Sequence, residues 1–200
     1  MQCTNPIRLG ARQGGGPRFE LQVPCGKCLA CRISRSREWA TRIVHEKDSH
    51  EESCFITITY DNDYLPPDGS VHKSELQKFI KRLRKYLDKK IKYFACGEYG
   101  ELYGRPHYHA IIFGLGIAEA EEVLPIVWKK GKNHVGTVTY DSARYVADYV
   151  FKSYNGEKAK EVYGDKQPPF VLMSKGLGKD WAIKNEAQIK KKSGNYDPRS

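Results

Sequence analysis

The chain has 200 residues, of which 40% are hydrophobic and 29% charged, and it carries a formal net charge of +10 at pH 7. This composition excludes a wholly disordered or collagen-like chain, and no apolar run approaches the roughly 18 residues of a membrane span. The first residues lack the apolar segment of a signal peptide, so we expect a soluble intracellular protein with no membrane partner. The positive charge favours a polyanion such as nucleic acid, although an ordinary basic enzyme could have the same balance.

Closely spaced cysteines dominate the N-terminal part of the chain. Three thiols fall in one seven-residue loop: Cys25, Cys28 and Cys31. Clustered thiols in a reducing compartment bind metal more often than they form disulfides. We predict a structural Zn²⁺ with Cys3 or His45 as the fourth ligand. An iron–sulfur cluster fits less well, because the sequence lacks the fourth Cys and the following Pro of the bacterial ferredoxin motif. Buried thiols without a metal are the other alternative.

Alternation and helical periodicity predict an α+β protein with an antiparallel sheet. From residue 54 onward the order strand, helix, strand, strand, helix, strand is that of the split βαβ, ferredoxin-like (RRM-like) plan, here with an extra helix. After residue 155 the signals weaken, and we expect a loosely packed tail. Strands are predicted over residues 19–23, 54–60, 91–98, 107–113 and 135–140. Helices are predicted over residues 34–51, 74–87, 119–129 and 141–154. Ser74 and Asp141 are the predicted N-caps of the second and fourth helices, and Pro125 interrupts the third helix or delays its start.

Two histidines in one predicted strand indicate a metal site. His107 and His109 lie two positions apart, so their side chains point to the same face of the sheet with Cα atoms about 6.6 Å apart. Glu98 ends the preceding strand and is our candidate for a third ligand, with Glu101 as the second choice. A single strand histidine is more often a satisfied surface or core residue, but the pair with a nearby Glu favours a metal site.

Two tyrosines and a lysine share one face of the last predicted helix. At about 100° per residue, Tyr145, Tyr149 and Lys152 lie on one side, separate from the apolar stripe that contains Val146 and Val150. Tyrosines spaced by four residues are usually half-buried packing residues. A neighbouring lysine and a metal site favour a catalytic interpretation instead.

Several motifs together resemble one family. Residues 55–60 (FITITY), 105–113 (RPHYHAIIF) and 145–152 (YVADYVFK) resemble the three ordered motifs of the HUH endonucleases, which are replication initiators of rolling-circle elements. More narrowly, residues 24–32 (PCGKCLACR) and 96–100 (CGEYG) resemble the initiator of gokushoviruses, small single-stranded DNA bacteriophages of the microvirus group.

This resemblance implies a site-specific endonuclease of the HUH type that nicks and rejoins single-stranded DNA to initiate rolling-circle replication. Its catalytic cation would be Mn²⁺ or Mg²⁺, held by His107, His109 and Glu98. A tyrosine would attack the scissile phosphate and leave a 5′-phosphotyrosine and a free 3′-OH, and a second tyrosine could act on the new junction. The family often has a Lys three positions after its nucleophile, as Tyr149 does and Tyr145 does not, so the order of the two tyrosines stays open.

The changes of pattern along the chain predict a domain organisation, and the resemblance implies the activity of the core and the partners. Residues 1–52 would form the Cys-rich metal-binding element and its helix, residues 53–155 the endonuclease core, and residues 156–200 a basic C-terminal extension. The partners would be a single-stranded DNA origin and the host replication helicase and polymerase, in the host bacterial cytoplasm.

Basic and aromatic side chains are the predicted DNA contacts. Basic groups can follow phosphates and aromatic rings can stack on unpaired bases, although a charge run is more often a solvated surface. The predicted DNA-binding residues are Arg32, Arg35, Tyr60, Lys81, Arg84, Lys85, Tyr99 and Arg105.

Two other functions stay open at this point. One is a noncatalytic module that binds single-stranded nucleic acid, with a structural zinc and with His and Tyr residues that only pack or stack. The other is a hydrolytic metallo-nuclease that uses the histidine pair, although it lacks the further ligands of a two-metal site. A covalent protein–DNA adduct would distinguish the nickase from both.

Overall fold

A computed structural model describes residues 2–11, 19–100, 102–152 and 157–193. The strands are β1 (Ile7–Ala11), β2 (Phe19–Val23), β3 (Ser53–Thr59), β4 (Lys92–Tyr99), β5 (Pro106–Phe113), β6 (Asn133–Gly136) and β7 (Phe170–Met173). The α-helices are α1 (Leu29–Lys47), α2 (Lys73–Leu87), α3 (Ile117–Val127), α4 (Tyr140–Lys152), α5 (Glu157–Tyr163), α6 (Lys179–Lys184) and α7 (Glu186–Ser193), and a short 3₁₀ helix covers Asn62–Tyr64.

The main sheet has five antiparallel strands in the order β6-β3-β5-β4-β7. Its first four positions hold the fourth, first, third and second strands of the split βαβ plan, so the predicted α+β ferredoxin-like architecture is confirmed. Strands β1 and β2 form a separate antiparallel hairpin. Among the described residues, no helix is long and apolar enough to cross a membrane.

Helices cover both faces of the main sheet. On the back face, helices α2 and α3 pack over a cluster that includes Tyr108, Ala110 and Ile112. On the front face, helices α1 and α4 pack over alternate residues of the same strand, Ile111 and Phe113. The alternation expected for β5 is therefore present, because successive side chains of a strand point to opposite faces.

The ends of several elements differ from their predicted positions. Helix α2 begins at Lys73 after His72, so Ser74 lies inside the helix and is not its cap. Asp141 is not the cap of α4 either, because the Thr139 hydroxyl accepts the amide hydrogen of Ser142 at 3.1 Å. This bond supplies the side-chain acceptor that the first turn of a helix needs.

Other predicted boundaries also shift. Helix α1 begins at Leu29, five residues before the predicted start, and ends at Lys47. Pro125 lies in the last turn of α3 and does not interrupt it, and β6 ends at Gly136 rather than at residue 140.

The predicted loosely packed tail is wrong for the segment around residue 170. Strand β7 pairs with β4 over four positions and forms an edge of the main sheet. The C-terminal part of the chain therefore supplies one strand of the sheet that carries the candidate site described below. The division into an N-terminal element, a core and an extension stays a prediction.

Candidate metal and tyrosine site

The sheet register brings the predicted metal ligands together at one end of the front face. Glu98 of β4 lies directly opposite His107 of β5, and His109 lies two positions further along the same strand. Glu98 Oε1 is 3.0 Å from His107 Nε2 and 2.7 Å from His109 Nε2. The three ligand atoms lie within 4.8 Å of one another, so one cation could contact all three. Glu101, the second choice for the third ligand, lies outside the described residues.

Hydrogen bonds on the far side of each imidazole fix the two rings. The Nδ1 of His107 is 3.1 Å from the carbonyl oxygen of Arg105, which can only accept, so this nitrogen carries the proton. The Nδ1 of His109 is 2.8 Å from the hydroxyl of Thr57, which lies opposite it on β3. Both Nε2 atoms therefore face Glu98, as ligand nitrogens must if they bind one cation.

Glu98 is ionised at this site. Its side chain is buried, and burial alone would raise its pKa, but hydrogen bonds with the two imidazoles outweigh burial and lower the pKa of Glu98 to about 2. Burial opposes the charged form of His107, but the Glu98 carboxylate outweighs it and raises the pKa of His107. The site therefore holds a negative charge that two imidazoles share.

Helix α4 places two phenols beside this cluster. The Tyr145 hydroxyl donates a 2.9 Å hydrogen bond to Glu98 Oε1 and lies 3.5 Å from His109 Nε2. The Tyr149 hydroxyl donates to the Tyr145 oxygen at 3.3 Å. Tyr145 is 42% exposed and Tyr149 is 8% exposed, so only the first phenol is both at the cluster and open to solvent. Lys152 ends α4, and its side chain is outside the described part of the chain.

A polar contact also fixes the orientation of helix α4. Asp148, between the two tyrosines, accepts a short hydrogen bond from the buried hydroxyl of Ser36 on α1. No sequence pattern predicted a role for Ser36, Asp148 or Thr57. For Thr57 a signal was present, because strand alternation puts it on the face of His109 once β3 and β5 are paired.

Comparison with known proteins identifies the family to which the chain belongs. Residues 53–154 match a family model that describes replication-associated proteins of the ORF2 type. A replication-associated protein VP4 of Bdellovibrio phage phiMH2K is 30% identical over 226 residues, covering 94% of this chain and 69% of that protein. The chain belongs to this family of replication-associated proteins. The resemblance to gokushovirus replication proteins is thereby confirmed.

Two further relatives come from other small viruses of bacteria. The replication-associated protein ORF2 of Spiroplasma virus 4 is 33% identical over 192 residues, and the ORF4 protein of Chlamydia phage 1 is 35% identical over 159 residues. These matches cover 84% and 68% of this chain, which spans 59% and 40% of the two relatives. Among solved structures, the chain is similar to the N-terminal nuclease domain of the minute virus of mice non-structural protein 1. The match covers 74% of this chain and 79% of that domain, with 11% sequence identity and a TM-score of 0.31.

The donor set of this replication-associated protein fits a divalent cation. Glu98 supplies an ionised oxygen, and the two imidazoles supply Nε2 atoms that face it. A mixed set of nitrogen and carboxylate ligands suits Mn²⁺ and admits Mg²⁺ less readily. Three protein ligands leave further coordination positions for water or substrate, as in a catalytic rather than a structural site.

The N-terminal thiols form a second candidate metal site. The sulfur atoms of the four predicted ligands, Cys3, Cys25, Cys28 and Cys31, lie within 4.8 Å of one another. His45, the other candidate for the fourth position, instead stacks on Trp181 with ring centroids 3.5 Å apart. Hydrogen bonds from the backbone of Cys31 and Thr4 lower the pKa of Cys28 to about 5, which favours a thiolate ligand. A set of four thiolates matches the tetrahedral preference of Zn²⁺.

Several of the predicted DNA contacts lie on the back face of the sheet, away from the tyrosines of α4. Tyr60 is 4% exposed within the back-face core, and its hydroxyl lies 3.0 Å from that of Tyr108, so the expectation that Tyr60 stacks on bases is wrong. Tyr99 also lies on the back face, where its hydroxyl donates to the Gln167 carbonyl oxygen at 2.7 Å. The basic residues of α2 are on the same face, so the sheet separates them from the tyrosines: Lys81, Arg84 and Lys85.

The other predicted DNA contacts lie closer to one of the two candidate metal sites. Arg105 lies beside His107 and donates to the Tyr60 carbonyl oxygen at 2.8 Å and to Asn62 at 2.9 Å. It lines a cleft of about 670 Å³ that opens next to His107. Arg32 and Arg35 lie on the first turns of α1, directly after the cysteine cluster.

Proposed function

We propose that this chain nicks and rejoins single-stranded DNA at a replication origin through a covalent bond to Tyr145. The observation that carries the proposal is the Tyr145 hydroxyl, which donates to Glu98 within the Glu98, His107 and His109 cluster. The membership of the replication-associated family supports DNA as the substrate. The host bacterial cytoplasm would be the place of action.

The chemistry follows from the groups present. A divalent cation bound by Glu98, His107 and His109 would withdraw electron density from the scissile phosphate. The Tyr145 oxygen attacks phosphorus, the bond from phosphorus to the 3′ oxygen breaks, and the DNA 5′ end stays on the tyrosine as a phosphodiester. The proton that leaves the phenol is balanced by the proton that the 3′ oxygen gains. Because a phosphodiester replaces a phosphodiester, a later attack by a 3′-OH can rejoin the strand.

The two tyrosines are not equivalent in this arrangement. A phenol with an ordinary pKa of about 10 is a weak nucleophile, and a divalent cation held by Glu98, His107 and His109 would favour its phenolate form. Tyr145 lies at this cluster, whereas the Tyr149 hydroxyl reaches the cluster only through Tyr145, at 3.3 Å. In our proposal Tyr145 therefore makes the first cut, and Tyr149 acts on the junction formed later. Lys152, three positions after Tyr149, balances the charge of the phosphate.

The test is denaturing gel electrophoresis of the protein with origin oligonucleotides and Mn²⁺. The nicking mechanism predicts that only a 3′-end label moves with the protein, because the downstream fragment keeps the 5′ phosphate bound to tyrosine. A 5′-end label should instead appear on a shorter, protein-free strand. Cleavage without an adduct would favour the hydrolytic nuclease, and binding without cleavage would favour the noncatalytic module.

A further inference from the structure

A basic cleft of about 680 Å³ lies at the end of the sheet remote from the tyrosines. It is formed by the last turn of α2, the turn that leads into β4, and the chain that follows β7. Its basic and aromatic lining is His50, Arg84, Lys89, Lys90, Lys92, Tyr93 and Lys175. Within the described ranges, no acidic residue lines it.

Part of this positive charge is already neutralised within the protein. Lys92 forms ion pairs with Glu46 at 2.8 Å and with Asp180 at 3.0 Å, and Lys89 pairs with Glu119 at 2.5 Å. Lys89 and Lys92 therefore form ion pairs within the folded protein and add little free charge to the cleft.

Three cations of the cleft have no acidic partner among the described residues. In the part of the chain that the structure describes, no hydrogen bond or ion pair joins the ammonium groups of Lys90 and Lys175 to a protein group. Arg84 donates to the carbonyl oxygen of Ile91 at 3.1 Å, a neutral acceptor that leaves its charge uncompensated. Three elements that are distant in sequence thus bring uncompensated cations to one cleft.

The ring of Tyr93 gives this cleft a second feature of nucleic-acid sites. The guanidinium of Arg84 lies 5.5 Å from the centre of the Tyr93 ring, and the ring is only partly buried. The stacking and the bond to Ile91 hold the guanidinium in one orientation. Fixed cations next to a partly exposed aromatic ring are a combination by which proteins track a nucleic-acid backbone.

The distance from the candidate nicking site suits a second contact on one strand. Lys92 and Glu98 lie six residues apart on β4, which places the cleft about 20 Å from the metal ligands at about 3.3 Å per residue. One phosphate occurs per 3.4 Å of a B-form strand, so the distance corresponds to about six nucleotides with B-form rise. An extended single strand covers the same distance with fewer nucleotides.

We propose that the basic cleft binds DNA backbone phosphates at most about six nucleotides from the scissile bond, as an anchor separate from the nicking chemistry. The proposal rests on the proposed function only in taking DNA as the polyanion. Sequence-independent contacts of this kind fix the register of the strand. They are expected to act in binding and to leave the chemical step unchanged.

The test compares the variant K90Q/K175Q with a matched control, K73Q/K160Q, which removes the same charge from exposed lysines elsewhere. Fluorescence anisotropy with labelled oligo(dT)30, and with a duplex of the same length, gives the dissociation constant as a function of salt, without added divalent metal. Each single-strand phosphate contact contributes about 0.7 to the slope of log K against log salt. The variant should therefore lose about 1.4 from that slope and bind about tenfold more weakly at 0.15 M salt, whereas the control should change less than twofold.

The outcomes separate this proposal from the nicking proposal. A tenfold loss with oligo(dT)30 identifies single-stranded phosphates as the ligand, and a loss confined to the duplex identifies flanking double-stranded DNA. Equal binding by variant and wild type, or an equal loss in the control, would overturn the anchor. Covalent adduct formation at saturating protein should be the same in K90Q/K175Q and wild type. If wild type forms no adduct at all, the nicking proposal fails while the anisotropy result still decides the anchor.

Discussion

The Tyr145 hydroxyl and the Glu98 carboxylate meet at 2.9 Å across the gap between helix α4 and the sheet. This contact joins two segments 47 residues apart in the chain and places the proposed nucleophile at a candidate metal site. Tyr149, one helical turn further on, contacts Tyr145 and is nearly buried. The geometry thus ranks two tyrosines that sequence patterns could not distinguish.

Tyr145→Phe should slow the first cleavage of an origin oligonucleotide by roughly a hundredfold or more, because the attacking oxygen is lost. Tyr149→Phe should cleave at a rate within a few fold of wild type in a single-turnover assay. Tyr140→Phe, on an exposed residue of the same helix, is the matched control and should cleave normally. Equal losses in the Tyr145 and Tyr149 variants would contradict the ranking.

Thr57→Val should weaken Mn²⁺ binding by about tenfold to a hundredfold, because the hydroxyl that orients His109 is lost. Thr57→Ser keeps the hydroxyl and should bind Mn²⁺ nearly as wild type does. Isothermal titration calorimetry of Mn²⁺ measures the affinity of each variant. If Thr57→Val and Thr57→Ser bind Mn²⁺ equally well, the Thr57 hydroxyl does not position His109.

Zinc bound at the cysteine cluster should be lost on acidification, because binding requires deprotonated thiols and releases their protons. Burial raises the pKa of Cys31 to about 12, so this thiol competes least well for the metal as pH falls. Zinc content, measured by atomic absorption after dialysis, should fall between pH 7.5 and pH 5. Cys28→Ser should bind less than a tenth of the wild-type zinc, and Cys54→Ala, in a buried strand position, should retain it. Zinc retained by the Cys28 variant would exclude the cluster as the site.

Glu46 provides a pH-dependent contribution to stability. Burial would raise the pKa of this carboxyl, but hydrogen bonds from Lys92, His50 and the Gly178 amide lower it below 4.5. A lowered folded-state pKa means that the contribution is present above about pH 4.5 and is lost as pH falls through the folded pKa.

Glu46→Gln should therefore lower the free energy of unfolding at pH 7 by about 3 kcal/mol, because Lys92 loses its buried partner. Urea titrations at pH 7 and pH 4 should show a smaller difference for the variant than for wild type. Glu38→Gln, at an exposed position of the same helix, is the control and should change stability by less than about 0.5 kcal/mol. An unchanged acid dependence in Glu46→Gln would contradict the assignment.

Gly131 is required by a close approach of two backbone segments beside the site. A Cβ at this position would lie 2.5 Å from the amide nitrogen of Asp61, which neither segment can relieve by a side-chain rotation. Gly131→Ala should destabilise the protein by about 2 kcal/mol or more in urea unfolding. At Gly136, in the same region, a Cβ finds its nearest neighbour at 3.9 Å, and Gly136→Ala should cost much less. Equal effects of the two substitutions would contradict the steric argument.

The residues of the candidate metal site could be predicted from sequence patterns that act over short distances along the chain. Alternation put His107 and His109 on one face, and the short connection between the two strands put Glu98 beside them. Helical spacing placed Tyr145 and Tyr149 together. Each of these relationships acts over a few residues or one hairpin, where sequence patterns are informative.

Features that depend on long-range packing were missed. Strand β7 has four residues and follows two prolines, which is too short for a recognisable period, and its pairing with β4 is a tertiary contact. The side of the sheet that α2 covers is likewise invisible to a helical pattern, so its basic face was expected near the DNA site. Tyr60 was mispredicted although a signal existed, because alternation from Ile56 and Ile58 places Tyr60 on the same buried face.

The most direct test of the central claim is to locate the nucleotide on the covalent adduct. After reaction with an origin oligonucleotide and Mn²⁺, nuclease trimming and trypsin would leave a nucleotide on the peptide 145–152, which contains both tyrosines. Fragmentation by tandem mass spectrometry then assigns the modified residue. We predict a phosphodiester on Tyr145 in the first turnover. Modification of Tyr149 alone, or cleavage with no modified peptide, would contradict the account.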